Sequence, residues 1–216
     1  MELENPVWHA LNGPQATLAE GGLLARRYIP DVAVFGGVPD VPTPDAWEEL
    51  RELVGQGGMA LLFRTDLDAP HGWQPVFAAP GVQMVATAVR GETDDSVERL
   101  TPEHVPEMLA LVERTNPGPI GPRTIELGEY FLIRDEVGAL IAVAGERMFL
   151  PPYREISAVC TDDAYRGQGL ATRLVRHLVA RIKTGTRHRC STLARRTRRR
   201  SVSTTRSASP SHASSP

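Results

Sequence analysis

The chain has 216 residues, 41% hydrophobic and 23% charged, with a formal net charge of -2. That composition excludes a wholly disordered chain, a collagen-like fibre and a disulfide scaffold, and the length allows one or two domains. The charge is uneven. The stretch from Lys183 holds nine of the 24 Lys and Arg and no acid, so the remainder sets 15 bases against 26 acids: an acidic body with a basic tail.

Only two cysteines occur, Cys160 and Cys190, without metal-ligand spacing, which points to a reducing compartment. The opening MELENPVW has neither a basic nor an apolar signal region. The longest apolar run, residues 137–144, falls short of the roughly 20 residues that cross a bilayer. A cytoplasmic protein is expected.

Residues 1–42 are rich in Gly and Pro and give little periodicity. Thr43, Pro44 and Asp45 then read as a helix start: a capping hydroxyl, Pro at the first helical position and an acid in the first turn. Trp47, Leu50 and Val54 share a face, and Gly55 ends the run. Residues 59–63 and 83–89 read as short strands between Pro- and Gly-rich loops. The acidic stretch 91–95 reads as a domain boundary.

Thr101, Pro102 and Glu103 repeat the helix-start signal. Val105, Leu109 and Val112 form the apolar stripe, and the run Asn116-Pro117-Gly118-Pro119 stops it. Three strand-like runs follow, at residues 130–134, 138–149 and 154–160, the first two joined by a turn at Asp135-Glu136. Leu170, Leu174, Leu178 and Ile182 recur every four residues, with Arg173, Arg176 and Arg181 on other faces. That spacing predicts an amphipathic helix packed on a sheet. From Thr184 the pattern ends. The Arg-, Ser- and Thr-rich tail has too little apolar surface to offset its ordering entropy and is expected to be disordered.

The chemistry concentrates between the last strand and the last helix. Gly167 and Gly169 let backbone approach a ligand closely, and the helix behind them offers unpaired N–H groups and a positive dipole end. Together they make an anion cradle suited to a diphosphate. The spacing is neither a Walker loop nor a dinucleotide fingerprint. Arg166, Gly169 and Ala171 fit the pattern [QR]-x-x-G-x-[GA], set after a strand ending in Val159, Cys160 and Thr161 and before an amphipathic helix. This arrangement, over residues 96–182, resembles the acetyl-CoA signature of the GNAT superfamily of N-acetyltransferases.

The resemblance implies an α/β fold, a mixed central sheet flanked by helices. On this reading residues 1–95 form an N-terminal α/β extension that shapes the acceptor side, and residues 183–216 form a disordered basic tail. It implies that acetyl-CoA is the cosubstrate and an amine the acceptor. The diphosphate would lie on the main chain of Arg166, Gly167, Gln168, Gly169, Leu170 and Ala171. The pantetheine arm would pair with Val159, Cys160 and Thr161, and a strand N–H, that of Val159, would polarise the thioester carbonyl. Proximity then removes much of the barrier.

Two carboxylates are candidate bases for the incoming amine, directly or through a water. Glu155 starts the motif strand with the parity of Val159 and Thr161, and Glu146 lies in the preceding apolar strand. Cys160 with His177 is a weak candidate for thiol catalysis. His9, His71 and His104 lack ligand spacing, and Trp8 and Trp73 are candidates for an acceptor pocket or for simple packing.

Past the helix the chain departs from the family's pattern of a strand, an Asn-bearing helix, a Leu-Tyr pair and a Gly-Phe strand. Back-translation of residues 186–209, read from the third base of each codon, permits that missing pattern. A frame shift near Lys183 is therefore expected, with impaired turnover in the chain as written. Two other readings stay open: a non-catalytic acyl-CoA-binding relic, and a basic arm that binds nucleic acid. The acceptor and the oligomeric state are not legible. The acidic body mildly favours a cationic acceptor.

Overall fold

The computed structural model describes residues 2–65, 68–78, 81–185, 189–194 and 200–204. The first helix, α1 (Pro6–Leu11), precedes a small antiparallel sheet of β1 (Ala19–Gly21), β2 (Arg26–Tyr28) and β3 (Gly36–Gly37). Helix α2 (Pro44–Val54) begins where the spacing predicts. Thr43 Oγ1 accepts a hydrogen bond from the Ala46 N–H, Pro44 opens the helix, and Gly55 ends it with φ 77°. Strands β4 (Met59–Leu62), β5 (Trp73–Phe77), β6 (Val82–Val85) and β7 (Glu98–Arg99) follow. Sequence reasoning placed β5 in a loop, because Pro75 removes a donor from it.

The helix expected at Thr101 opens instead as a 3-10 turn, Pro102–His104, and continues as α3 (Val105–Thr115). Pro106 supplies no N–H in that first turn. Asn116, at φ 45°, closes α3 in the left-handed conformation that Asn tolerates. Strands β8 (Tyr130–Arg134), β9 (Leu140–Leu150) and β10 (Tyr153–Thr161) form an antiparallel meander, and α4 (Leu170–Gly185) follows.

The tail, expected to be disordered from Lys183, is described in part, and in that part α4 runs on to Gly185 and two strands follow, β11 (Arg189–Ala194) and β12 (Arg200–Thr204). A strand added to a sheet edge needs only its own N–H and C=O groups, which an Arg- and Ser-rich chain also carries. β11 pairs parallel with β10 and antiparallel with β6, giving a mixed six-stranded sheet in the order β6-β11-β10-β9-β8-β7. β12 lies between β4 and β5. The rest of the tail is outside the described residues.

Helices cover both faces of the large sheet. Leu170, Leu174, Leu178 and Ile182 of α4 pack on Phe131, Ile133, Ile141 and Ile156. Met108 and Leu111 of α3 pack on the other face, on Tyr130, Leu132, Val143 and Cys160. The N-terminal residues join the core at β9, where Val7, Leu11, Tyr28 and Phe35 cluster with Met148 and Leu150.

Gln15 ties this junction together. β9 outruns β8, and the amide of Gln15 serves the edge left over: Nε2 donates to the carbonyls of Leu127 (3.1 Å) and Arg147 (2.9 Å), and Oε1 accepts from Phe149 N–H (3.2 Å) and Tyr28 Oη (2.7 Å). All four hydrogen-bonding positions of a buried amide are filled.

The acidic stretch 91–95 lies along the basic side of α4. Arg173 donates to Asp94 at 2.7 and 3.3 Å and also to Ser96, and Arg176 pairs with Glu92 at 3.3 Å. These contacts, Arg173 first and Ser96 second, hold the Asp94 carboxyl well below the usual range. The Asp94 N–H donates to Nδ1 of His177 at 3.2 Å, and the imidazole packs on Phe131.

Burial, and then Arg181, lowers the pKa of His177. Its folded pKa lies below the unfolded value, so the folded state binds fewer protons. The stability that neutral His177 contributes is present above about pH 6.5 and is lost as pH falls through the depressed value. Urea titrations from pH 7.5 to 5 should show this loss, and His177→Gln, whose carbonyl still accepts from Asp94, should flatten it.

Candidate active site

Strand β10 carries an irregularity that organises the site. Its register with β9 runs from Ser157 opposite Gly145 directly to Cys160 opposite Val143, so Ala158 and Val159 share one partner position. This is a β-bulge, and Ala158 takes φ 54°, rare for a residue with a Cβ. The extra residue resets the alternation. Ile156 and Val159 pack toward α4, whereas Ala158 and Cys160 pack toward α3. The expected shared face of Glu155 and Val159 is therefore corrected: the bulge lies between them and puts them on opposite faces.

β11 pairs with β10 only from Tyr153 to Ile156, then stays with β6 through Ala194. From Ser157 to Thr161 the β10 main chain has β9 on one side and no β11 partner on the other. At the far end of this cleft Asp162 caps a 3-10 turn, Asp163–Tyr165, its carboxylate accepting from the Ala164 N–H at 3.1 Å. Gly167 (φ 81°) and Gly169 (φ 78°) then reverse the chain into α4. Among the described residues nothing beyond the chain neighbours lies within 4 Å of where a Cβ would stand on either glycine, so the cradle is open.

The Arg173 N–H donates to the Gly169 carbonyl at 3.0 Å, which makes Gly169 the cap. The amides of Leu170, Ala171 and Thr172 precede that bond and have no intrahelical acceptor. Arg166 is exposed and pairs with Asp163 at 2.6 Å. Among the residues expected at the cradle, Leu170 is buried under α4, and Cys160 is 7% exposed with its thiol pKa raised by burial, so both offer main chain only.

The two candidate bases occupy opposite faces. Glu146 lies beside Ile156 on the α4 side and pairs with Arg154 at 2.7 Å, and burial raises its pKa. Glu155 is 3% exposed and takes a two-pronged ion pair from Arg147, at 2.5 and 3.2 Å. The Arg147 guanidinium in turn lies over the rings of Phe35 (4.8 Å) and Phe63 (5.2 Å).

Beside this pair a cavity of about 40 Å3 opens between the α3 face of the sheet, the N-terminal loop at Val32–Phe35 and the Pro117–Ile120 loop. Ser157 and Ala158 form its floor, at the bulge. Tyr130 lines it. Its ring stacks where a Cβ on Gly145, its cross-strand partner, would come within 2.3 Å, so only glycine at 145 leaves the ring its place. The Tyr130 hydroxyl is fully buried and has no hydrogen-bond partner among the described residues. Sequence reasoning missed Tyr130, Gly145 and Arg147.

Cys160 and His177 lie on opposite faces of the sheet, and Trp73 packs edge-on against Trp47 under α2, away from the cavity. Trp8 lies against Gly37, and His9 contacts Asp40. No helix among the described residues is long and apolar enough to cross a membrane.

The profile of the Acetyltransferase (GNAT) family matches residues 97–201. A GNAT-family acetyltransferase structure from Novosphingobium aromaticivorans is 30% identical, covering 94% of this chain and 97% of that one, with a TM-score of 0.82. A GCN5-related N-acetyltransferase from Kribbella flavida shares the fold at 15% identity, covering 94% and 96%, with a TM-score of 0.66. No curated protein matches the sequence. The full-length likeness at that identity and the matching profile make the chain a member of the GNAT acetyltransferase family.

Proposed function

We propose that this chain moves an acetyl group from acetyl-CoA to an amine by direct attack on the thioester. The observation that carries the reading is the half-paired stretch of β10 from Ser157 to Thr161, running from a small cavity at one end to the glycine cradle at the other. The main chain of Arg166, Gly167, Gln168, Gly169, Leu170 and Ala171 would take the diphosphate. The unpaired edge of Val159, Cys160 and Thr161 would take the amide-bearing arm as an added strand.

On this reading the thioester would lie at the bulge beside the cavity, with the Val159 N–H as donor to the developing oxyanion. The amine nitrogen bonds to the carbonyl carbon and loses one proton. The C–S bond breaks and the sulfur leaves as thiol. Glu155 is the carboxylate on the cavity side. It reaches the cavity through Arg147, so its role is to position that guanidinium while water carries the proton. Glu146 lies on the far face, bound to Arg154, and serves the fold.

The reading places the protein in the cytoplasm, where acetyl-CoA is made and used. It takes residues 1–95 as the part that walls the acceptor side, through Val32–Phe35, and residues 183–216 as read out of frame. Calorimetry with acetyl-CoA, and release of free thiol with a mixed panel of amines, test the function on this chain and on a frame-restored version. Binding by both, with faster turnover in the restored chain, is expected. Failure of the restored chain to bind acetyl-CoA would remove the assignment, and gene codons that forbid the shifted reading would remove the frame claim.

A further inference from the structure

The acceptor cavity has a definite chemistry. Its lining mixes apolar side chains, Phe35, Ile120 and Leu127 among them, with polar ones. The Thr124 hydroxyl is taken up by Gly121 and Val32, and beside the Ser157 hydroxyl two hydrogen-bonding groups carry the argument. One is the Tyr130 hydroxyl, buried and without a partner among the described residues; a buried hydroxyl left unpaired is costly, so native structures seldom keep one without a use. The other is the Arg147 guanidinium. Glu155 engages Nε and Nη2, and Nη1 makes no hydrogen bond among the described residues. No carboxylate of the described residues lines the cavity, because Glu155 lies behind the guanidinium.

Glu155 balances the guanidinium from behind, so what faces the cavity is a set of N–H and O–H donors, which favour an oxyanion over a second ammonium. Its volume of about 40 Å3 admits a group of only a few heavy atoms. A guanidinium fork with a phenol beside it matches a carboxylate, which accepts several hydrogen bonds at once. The positive charge also disfavours the ammonium form of the reacting amine and so helps to present it as free base.

We propose that the acceptor is an amine carrying a carboxylate on a short apolar body, the chemistry of a small neutral amino acid, with Arg147 and Tyr130 holding the carboxylate. This rests on the acetyltransferase reading above and names its substrate class. It runs against the expectation from net charge, since the acidic body surrounds a cavity whose one charged lining residue among those described is Arg147.

The test uses the full chain saturated with CoA, titrated calorimetrically with product-like probes. N-acetylglycine, N-acetyl-L-alanine and N-acetyl-L-valine carry the carboxylate, N-ethylacetamide lacks it, and N-acetylputrescine replaces it with an ammonium. At least one of the acids should bind about tenfold or more tighter than both comparators, the difference that one or two charge-assisted hydrogen bonds supply. Tyr130→Phe should reduce that preference severalfold with the melting temperature unchanged or higher, because it removes an unpaired hydroxyl. Arg147→Lys, which keeps the charge and loses the fork, should reduce it too. Equal or tighter binding of N-ethylacetamide or N-acetylputrescine overturns the proposal, as does an unchanged preference in Tyr130→Phe. With CoA bound and no acid bound, only this proposal falls; with no CoA bound, the transferase reading falls with it.

Discussion

Gly169→Asp should weaken CoA binding at least about 100-fold while leaving the fold intact. The two effects separate because the position is a helix cap. The Gly169 carbonyl accepts the first bond of α4, and a capping Asp satisfies an amide of the first turn and favours the helix dipole. The cost to the fold is the φ of 78°, about 1–2 kcal/mol for a residue with a Cβ, and Asp is among the residues that tolerate it best.

For an arriving diphosphate the same carboxylate is a competitor. It occupies an amide of the first turn and adds a like charge to the cradle. Loss of two charge-assisted hydrogen bonds, about 1.5–3 kcal/mol each, exceeds two decades in affinity. Gly169→Ala, whose Cβ meets nothing within 4 Å beyond its chain neighbours among the described residues, pays only the backbone strain, which falls on the fold in the free and bound states alike, and should bind CoA within a fewfold of the parent. Calorimetric titration with CoA, beside circular dichroism, distinguishes these. An Asp variant that binds normally would place the diphosphate elsewhere.

The cradle and α4 were legible because each is written in contiguous residues: glycines two apart, then Leu170, Leu174, Leu178 and Ile182 at helical spacing. The sheet meander was legible for the same reason, as three apolar runs with turns between them. The bulge was not. No glycine marks it, since Ala158 itself takes the positive φ, and without the bulge the parity of Glu155 was misassigned. The Tyr130 cavity was invisible too, because it needs the register that sets Tyr130 opposite Gly145 and Ser157 beyond it.

One signal was available and unused. Arg147 and Glu155, and Glu146 and Arg154, are opposite charges eight residues apart in two apolar strands on either side of the Pro151–Pro152 turn. Opposite charges facing each other across a hairpin predict cross-strand pairs, here Arg147 and Glu155 across the strands and Glu146 and Arg154 on the diagonal, since Glu146 stands opposite Ile156. Read that way, the sequence offers each carboxylate a resident partner before any role as a free base.

That pairing sets the second large effect. Arg147→Met should destabilise the fold by about 3–5 kcal/mol, because it leaves the Glu155 carboxylate buried without its counter-charge. At roughly 2–4 °C per kcal/mol for a chain of this size, the melting temperature should fall by about 6–20 °C. Adding Glu155→Gln removes the stranded charge, and Met fills the space between Phe35 and Phe63, so most of the loss should return. Acetyl transfer should not return with it, because the restored core no longer presents a guanidinium to the cavity. Thermal melts and thiol-release assays on the single and double variants check this. Stability and activity recovering together would mean that the pair only holds the sheet. Stability recovering alone separates what Arg147 does for the fold from what it does for the substrate.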